Sequence, residues 1–173
     1  MRKTVIFVFV TLLLLFSLTG CASKSSKAIP FENNQAPDFE LKDINGNPVR
    51  LSDYKGKTIL LTFWSINCPY CLKELVELQT FFSEIPSNTV LITVNLDMEQ
   101  EKVKTYLKEK GYTFPVLFDN RGEIIKKYLI RGIPLNILID CNGIIKTRIE
   151  GALTKDYIIK MINSIEEGIK KPA

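Results

Sequence analysis

The residues whose spacing most directly implies chemistry are Cys68 and Cys71, in Cys68-Pro69-Tyr70-Cys71. Pro69 suits the first turn of a helix, and Leu72, Leu75, Val76 and Leu78 through Phe82 recur at helical spacing until Pro86. The pair therefore starts a helix. Unpaired backbone N–H groups and the helix dipole favour a thiolate there, and the thiolate is the attacking species. Cys68 is the candidate nucleophile and Cys71 the thiol that resolves the mixed disulfide. Zinc would need two further ligands, but the chain has no histidine, Cys21 falls at the end of a leader and Cys141 stands alone. Covalent haem would need a histidine where Leu72 stands. An inert structural disulfide stays open.

The elements that must position the pair can be read around it. Before it, Thr58 to Trp64 is a nearly continuous run of β-formers, consistent with a strand covered on both faces. After the helix come a second buried strand, Thr89 to Asn95, an amphipathic helix from Glu99 to Lys110 closed by Gly111, a short strand from Phe114 to Phe118, and a helical turn from Glu123 to Tyr128. Gly132-Ile133-Pro134 reads as a turn. Asn136 to Asp140 and Ile144 to Ile149 then flank the hairpin signal Asn142-Gly143, and Thr154 caps a last helix reaching about Glu167. Nearer the start, Phe39 and Leu41, Asn45-Gly46, and Val49 and Leu51 fit a β-hairpin.

The first twenty residues read differently. Arg2 and Lys3 precede an apolar run from Val5 to Phe16, followed by Leu18-Thr19-Gly20-Cys21, the three-part build of a secretory signal. Residues 22–36 are mostly small or polar and read as a flexible tether. The expected organisation is a leader over 1–20, a tether over 21–36 and one domain over 37–173, on the non-cytoplasmic side of a membrane. The 23 basic and 19 acidic residues, net +4, are interspersed, which describes a solvated surface and gives no case for nucleic acid.

Phe63-Trp64-Ser65-Ile66-Asn67-Cys68-Pro69-Tyr70-Cys71 resembles the active-site segment of thioredoxin-like proteins. Ala36-Pro37-Asp38-Phe39, Leu51-Ser52-Asp53-Tyr54-Lys55-Gly56-Lys57 and Gly132-Ile133-Pro134 with Leu138-Ile139-Asp140 and Gly143 are similar to the TlpA/ResA group of membrane-anchored thiol-disulfide oxidoreductases. The resemblance implies an α/β thioredoxin-like fold: a central mixed β-sheet flanked by helices, with an N-terminal β-hairpin extension and a central helix-strand insertion. It implies a cis-proline at Pro134 opposite the cysteines, and a substrate segment contacting Ile133, Pro134, Trp64, Pro69 and Tyr70. It implies proton exchange between Glu74 and Cys71, which share one side of the helix; the alternative is an ordinary solvated helix glutamate. In thioredoxin a buried aspartate stands six before the first cysteine, where this chain has Thr62.

Leu-Thr-Gly-Cys looks like a bacterial lipobox, which implies lipidation of Cys21 and a lipid anchor in the membrane. The implied partners are disulfide-containing exported proteins, apocytochrome c among them, and an electron-donating membrane thiol transporter of the CcdA or DsbD type. No metal and no cofactor are expected. Two departures from the group, Asn67 for a tryptophan and Leu135 for a threonine, are expected at the substrate-contacting surface and bear on specificity. Cys141 is expected to be exposed and incidental. Two other functions compete with a reductase: a peroxiredoxin-type peroxidase, which shares the fold but places proline and threonine or serine before its cysteine, and a non-enzymatic lipoprotein with an inert disulfide.

Overall fold

The structure is a computed structural model that describes residues 29–170. The leader, Cys21 and the tether as far as residue 28 lie outside the described residues. Seven strands form one sheet: β1 (Glu40–Asp43), β2 (Pro48–Arg50), β3 (Thr58–Trp64), β4 (Thr89–Asn95), β5 (Val116–Phe118), β6 (Leu135–Ile139) and β7 (Ile145–Glu150). Among the described residues four α-helices accompany them: α1 (Pro69–Ser83), α2 (Gln100–Lys110), α3 (Glu123–Lys127) and α4 (Lys155–Lys170). The spatial order is β2-β1-β5-β4-β3-β6-β7, with β3, β4 and β5 parallel and the outer pairings antiparallel.

The apolar runs read as buried strands are buried on both faces because each face is covered. Along β3, alternate side chains divide between two cores. Leu60 and Trp64 face a layer that includes Leu75, Leu78 and Phe81 of α1, Val103 and Leu107 of α2, and Ile158 and Ile162 of α4. Ile59, Leu61 and Phe63 face the other side, with Phe39, Leu51, Ile124 and Tyr128. The helix-strand insertion is α2 with β5, whose chain leaves the helix at Gly111, left-handed at φ +69° with its N–H on the Leu107 carbonyl. Strand β5 starts two residues later than expected because Pro115 has no N–H for the ladder; its carbonyl instead accepts from the Thr93 amide.

The domain starts earlier than the tether boundary allowed. The Asn33 amide bonds the Ile145 carbonyl, the Ile145 amide bonds Asn34, and the Ala36 amide bonds Gly143, with Gln35 bridged to Ile144. Arg148 donates to the carbonyls of Pro30, Tyr128 and Leu129 and lies over the Phe31 ring. The polar composition of this stretch concealed its docking because backbone groups make most of the contacts. Among the described residues no helix is long and apolar enough to cross a membrane.

Candidate redox site

Strand β3 ends at Trp64, and four residues separate it from the start of α1 at Pro69, so Cys68 sits at the carboxyl end of a parallel strand. Cys68 is the N-cap of α1: its Sγ accepts from the Cys71 N–H at 3.1 Å, with Pro69 at the first helical position. The two cysteines are disulfide-bonded, with Cα atoms 5.2 Å apart. Their exposure differs. Cys68 is half-buried, whereas Cys71, turned into the core, is wholly buried. An incoming sulfur can therefore reach the first cysteine and not the second.

The Ile133-Pro134 bond is cis. Strand β6 begins at Leu135, paired with Phe63 at the end of β3, so the antiparallel ladder delivers this turn beside the cysteines. The Cys68 Sγ lies 3.5 Å from the Ile133 carbonyl oxygen.

A second group fixes the loop ahead of Cys68. Asp97, just beyond β4, accepts at Oδ1 from the Ser65 hydroxyl (2.7 Å) and the Asn67 amide nitrogen (3.0 Å). Its Oδ2 accepts from the Ile66 N–H (2.8 Å) and from Asn95 (2.8 Å). One carboxylate thus ties together three consecutive loop residues. Ile66, Asn67, Asp97, Met98 and Lys102 line a hollow next to the pair.

Glu74 is the buried charge-bearing group of the site. It is 0% exposed, on the face of α1 that packs against the sheet. Its Oε1 accepts from Asn136 Nδ2 at 2.7 Å and from the Leu153 N–H at 2.8 Å, while Oε2 is buried with no hydrogen-bond partner among the described residues. Burial pushes the Glu74 carboxyl up to about 7 against the opposing pull of those two hydrogen bonds. A carboxyl in this state holds or releases a proton near neutrality. The solvated-glutamate alternative does not survive this burial.

Other expected site residues divide. Pro69 and Tyr70 are exposed, Tyr70 at 66% with Lys73 over its ring, and Ile133 is half-buried. Trp64 and Leu135 were expected at the substrate surface, and both are instead 0% exposed. The strand alternation turns Trp64 into the α1 side of the core and Leu135 into the opposite one. The Pro134 ring is also buried, so surface contact at this turn falls to Ile133. Asn67 remains exposed, though its side chain is held by Asp97. Cys141 is a free, half-buried thiol after the far end of β6, roughly 20 Å of extended chain from Pro134. Sequence reasoning missed Asp97 and Asn136. The signals were present: a carboxylate at the carboxyl end of a parallel strand, and an asparagine inside an apolar strand run.

Residues 33–148 match the AhpC/TSA family. The thiol-disulfide oxidoreductase ResA of Geobacillus kaustophilus (strain HTA426) is 33% identical over 132 residues, 76% of this chain and 76% of that protein. The crystal structure of StoA from Bacillus subtilis superposes with a TM-score of 0.67 at 32% identity, covering 73% of this chain and 96% of that one. The exposed lipoprotein thioredoxin Etrx1 from Streptococcus pneumoniae strain TIGR4 also gives 0.67, at 31% identity over 74% of this chain and 99% of that one.

Proposed function

Since the chain belongs to the AhpC/TSA family, as a thiol-disulfide oxidoreductase of the ResA kind, we propose that it works as a reductase of disulfides in exported proteins, through Cys68 and Cys71. The observation that carries this reading is the unequal exposure of the pair: a half-exposed sulfur capping a helix, bonded to a wholly buried one. In the reduced protein the Cys68 thiolate attacks one sulfur of a substrate disulfide. The substrate S–S bond breaks, and its other sulfur leaves as a thiolate that takes up a proton. Cys71 gives its proton to the Glu74 carboxylate and attacks the Cys68 sulfur; the bond from Cys68 to the substrate breaks and the second substrate thiol is released. Two electrons pass from the dithiol to the substrate, and the protein is left with its own disulfide.

The turn at Ile133 offers backbone beside Cys68 to an extended segment, and Pro69 and Tyr70, next in the chain after Cys68, are exposed, so recognition rests largely on the partner's main chain. The lipobox-like Leu18-Thr19-Gly20-Cys21 and the lipoprotein among the similar structures support a lipid anchor at Cys21 on the outer face of a bacterial membrane. Reduction on that side calls for an electron source across the membrane, for which a thiol transporter of the CcdA or DsbD type is the proposed donor. Apocytochrome c is a candidate substrate within the same reading.

The test is trapping. Cys71→Ser is expected to accumulate a mixed disulfide between Cys68 and an oxidised substrate protein, seen by non-reducing electrophoresis and mass spectrometry, and Cys68→Ser to abolish turnover. Turnover surviving in Cys68→Ser would refute the assignment. A reduction potential of the pair near −270 mV or lower fits a reductase, and one near −120 mV an oxidase.

A further inference from the structure

Thr62 and Asn136 stand directly opposite each other in the β3–β6 ladder, on the face that carries α1 and α4. They are 0% and 2% exposed. The Asn136 amide nitrogen donates to the Gly151 carbonyl at 3.2 Å and to Glu74 Oε1 at 2.7 Å. A carbonyl can only accept, so Gly151 commits the nitrogen to that side and turns Oδ1 toward Thr62. The Thr62 hydroxyl must then donate, and does so at 2.7 Å. The Leu153 N–H, a donor only, meets the same Oε1 at 2.8 Å. An oxygen that already faces two N–H groups has no room for a proton of its own.

We propose that Thr62 and Asn136 are positioning residues that confine the exchangeable proton of Glu74 to Oε2. The chain of donors runs in one direction, from Thr62 through Asn136 to Oε1, and Oε2 is left buried and unpartnered as the atom that gives or takes the proton. This rests on the reading that Glu74 serves Cys71. The other titratable groups on the surrounding elements have their own partners or lie elsewhere. Glu77, the next turn of α1, accepts from the Lys155 N–H; Lys155, at the start of α4, places its ammonium on Glu84; and Glu150, at the end of β7, lies over Gly132. Cys71 is one turn before Glu74 on the same helix and is held in the disulfide. Because the Asn136 bond favours the ionised carboxylate, removing it must raise the pH at which Glu74 ionises.

The experiment is a carbon-13 NMR titration of glutamate carboxyl groups in the full reduced chain, with Glu74→Gln identifying the Glu74 signal. Asn136→Ala is expected to lower the Glu74 acid dissociation constant roughly tenfold, the worth of one hydrogen bond to an ionised group. Thr62→Val, of equal shape, is expected to shift it the same way by a smaller factor, and Thr62→Ser, which keeps the hydroxyl, to restore the original midpoint. The rate at which Cys71 releases an aromatic thiol from Cys68, taken as a ratio to the rate of its first capture, should move along the pH axis by the same factor. An unchanged Glu74 midpoint in folded Asn136→Ala and Thr62→Val overturns the proposal; if Asn136→Ala does not fold by circular dichroism, Thr62→Val alone decides. A midpoint that moves while the release profile stays in place upholds the positioning and overturns the proton-transfer role given to Glu74.

Discussion

In the proton-transfer role proposed for it, Glu74 couples the chemistry of the site to the stability of the protein. Its folded-state carboxyl is raised from 4.5 to about 7 by burial, so the folded chain binds a proton more tightly than the unfolded one. The sign follows. The carboxyl's contribution to stability is whole below pH 4.5, is lost as pH rises toward 7, and then stays lost at higher pH. The full loss is about 3 kcal/mol. Glu74→Gln keeps an oxygen for Asn136 and Leu153 but cannot ionise. It is expected to remove the decline in stability between pH 4.5 and 7, measured by urea denaturation across that range, while slowing the release of substrate by Cys71. A variant with the same pH slope as the parent would show that Glu74 is not the group responsible.

At the scale of elements, the site is made where strand ends converge. Strand β3 delivers Cys68, β6 delivers Ile133 and Pro134, and β4 delivers Asp97, whose carboxylate gathers Ser65, Ile66 and Asn67. The loop between β3 and α1 has no ladder of its own, so this carboxylate substitutes for one. Asp97→Ala is expected to release the loop, costing about 2 kcal/mol of stability from hydrogen bonds to an ionised acceptor. It should also slow capture of a protein disulfide more than capture of a small aromatic disulfide, because only the larger partner needs an ordered surface at Asn67 and Met98. Stopped-flow rates for the two substrates provide the comparison. Equal slowing of both would place the effect on Cys68 itself rather than on the docking surface.

At the scale of the molecule, the chain enters the domain along β7, and Arg148 holds that entry. Its guanidinium joins Pro30, at the entry, to Tyr128 and Leu129, just after α3, and lies over Phe31. Under the lipid anchor proposed at Cys21, this contact sets where the domain is attached. Arg148→Ala is expected to cost roughly 1 to 2 kcal/mol and to speed hydrogen exchange at the Asn33 and Ile145 amides, whose bonds pin the same segment. Exchange at those amides unchanged by the substitution would assign the docking to the backbone bonds alone. Arg148 pairs with Ile137 at the middle of β6 and its guanidinium bonds Pro30, Tyr128 and Leu129, so the redox pair, beyond the Leu135 end of that strand, is expected to keep its reduction potential in this variant.

What depends on near neighbours along the chain is legible in the residues themselves. Spacing placed both cysteines at a helix start, β-forming runs gave β3, β4, β6 and β7 nearly residue by residue, and Gly111 and Asn142-Gly143 marked a helix end and a hairpin because only local backbone preference is involved. Where resemblance supplied the fold and the cis-proline, the ladder between β3 and β6 supplies the reason they come together. Tertiary structure alone decided the rest. Whether Trp64 and Leu135 face a substrate or a core depends on which layers cover the sheet, and both face cores. Whether Glu74 is solvated or buried depends on α1 packing over β6 and the start of α4. Thr62 and Asn136 are 74 positions apart in the chain and meet only because two strands pair in one register. Side-chain periodicity says which residues share a face of one element; it contains no information about which residue of a distant element lies across from them.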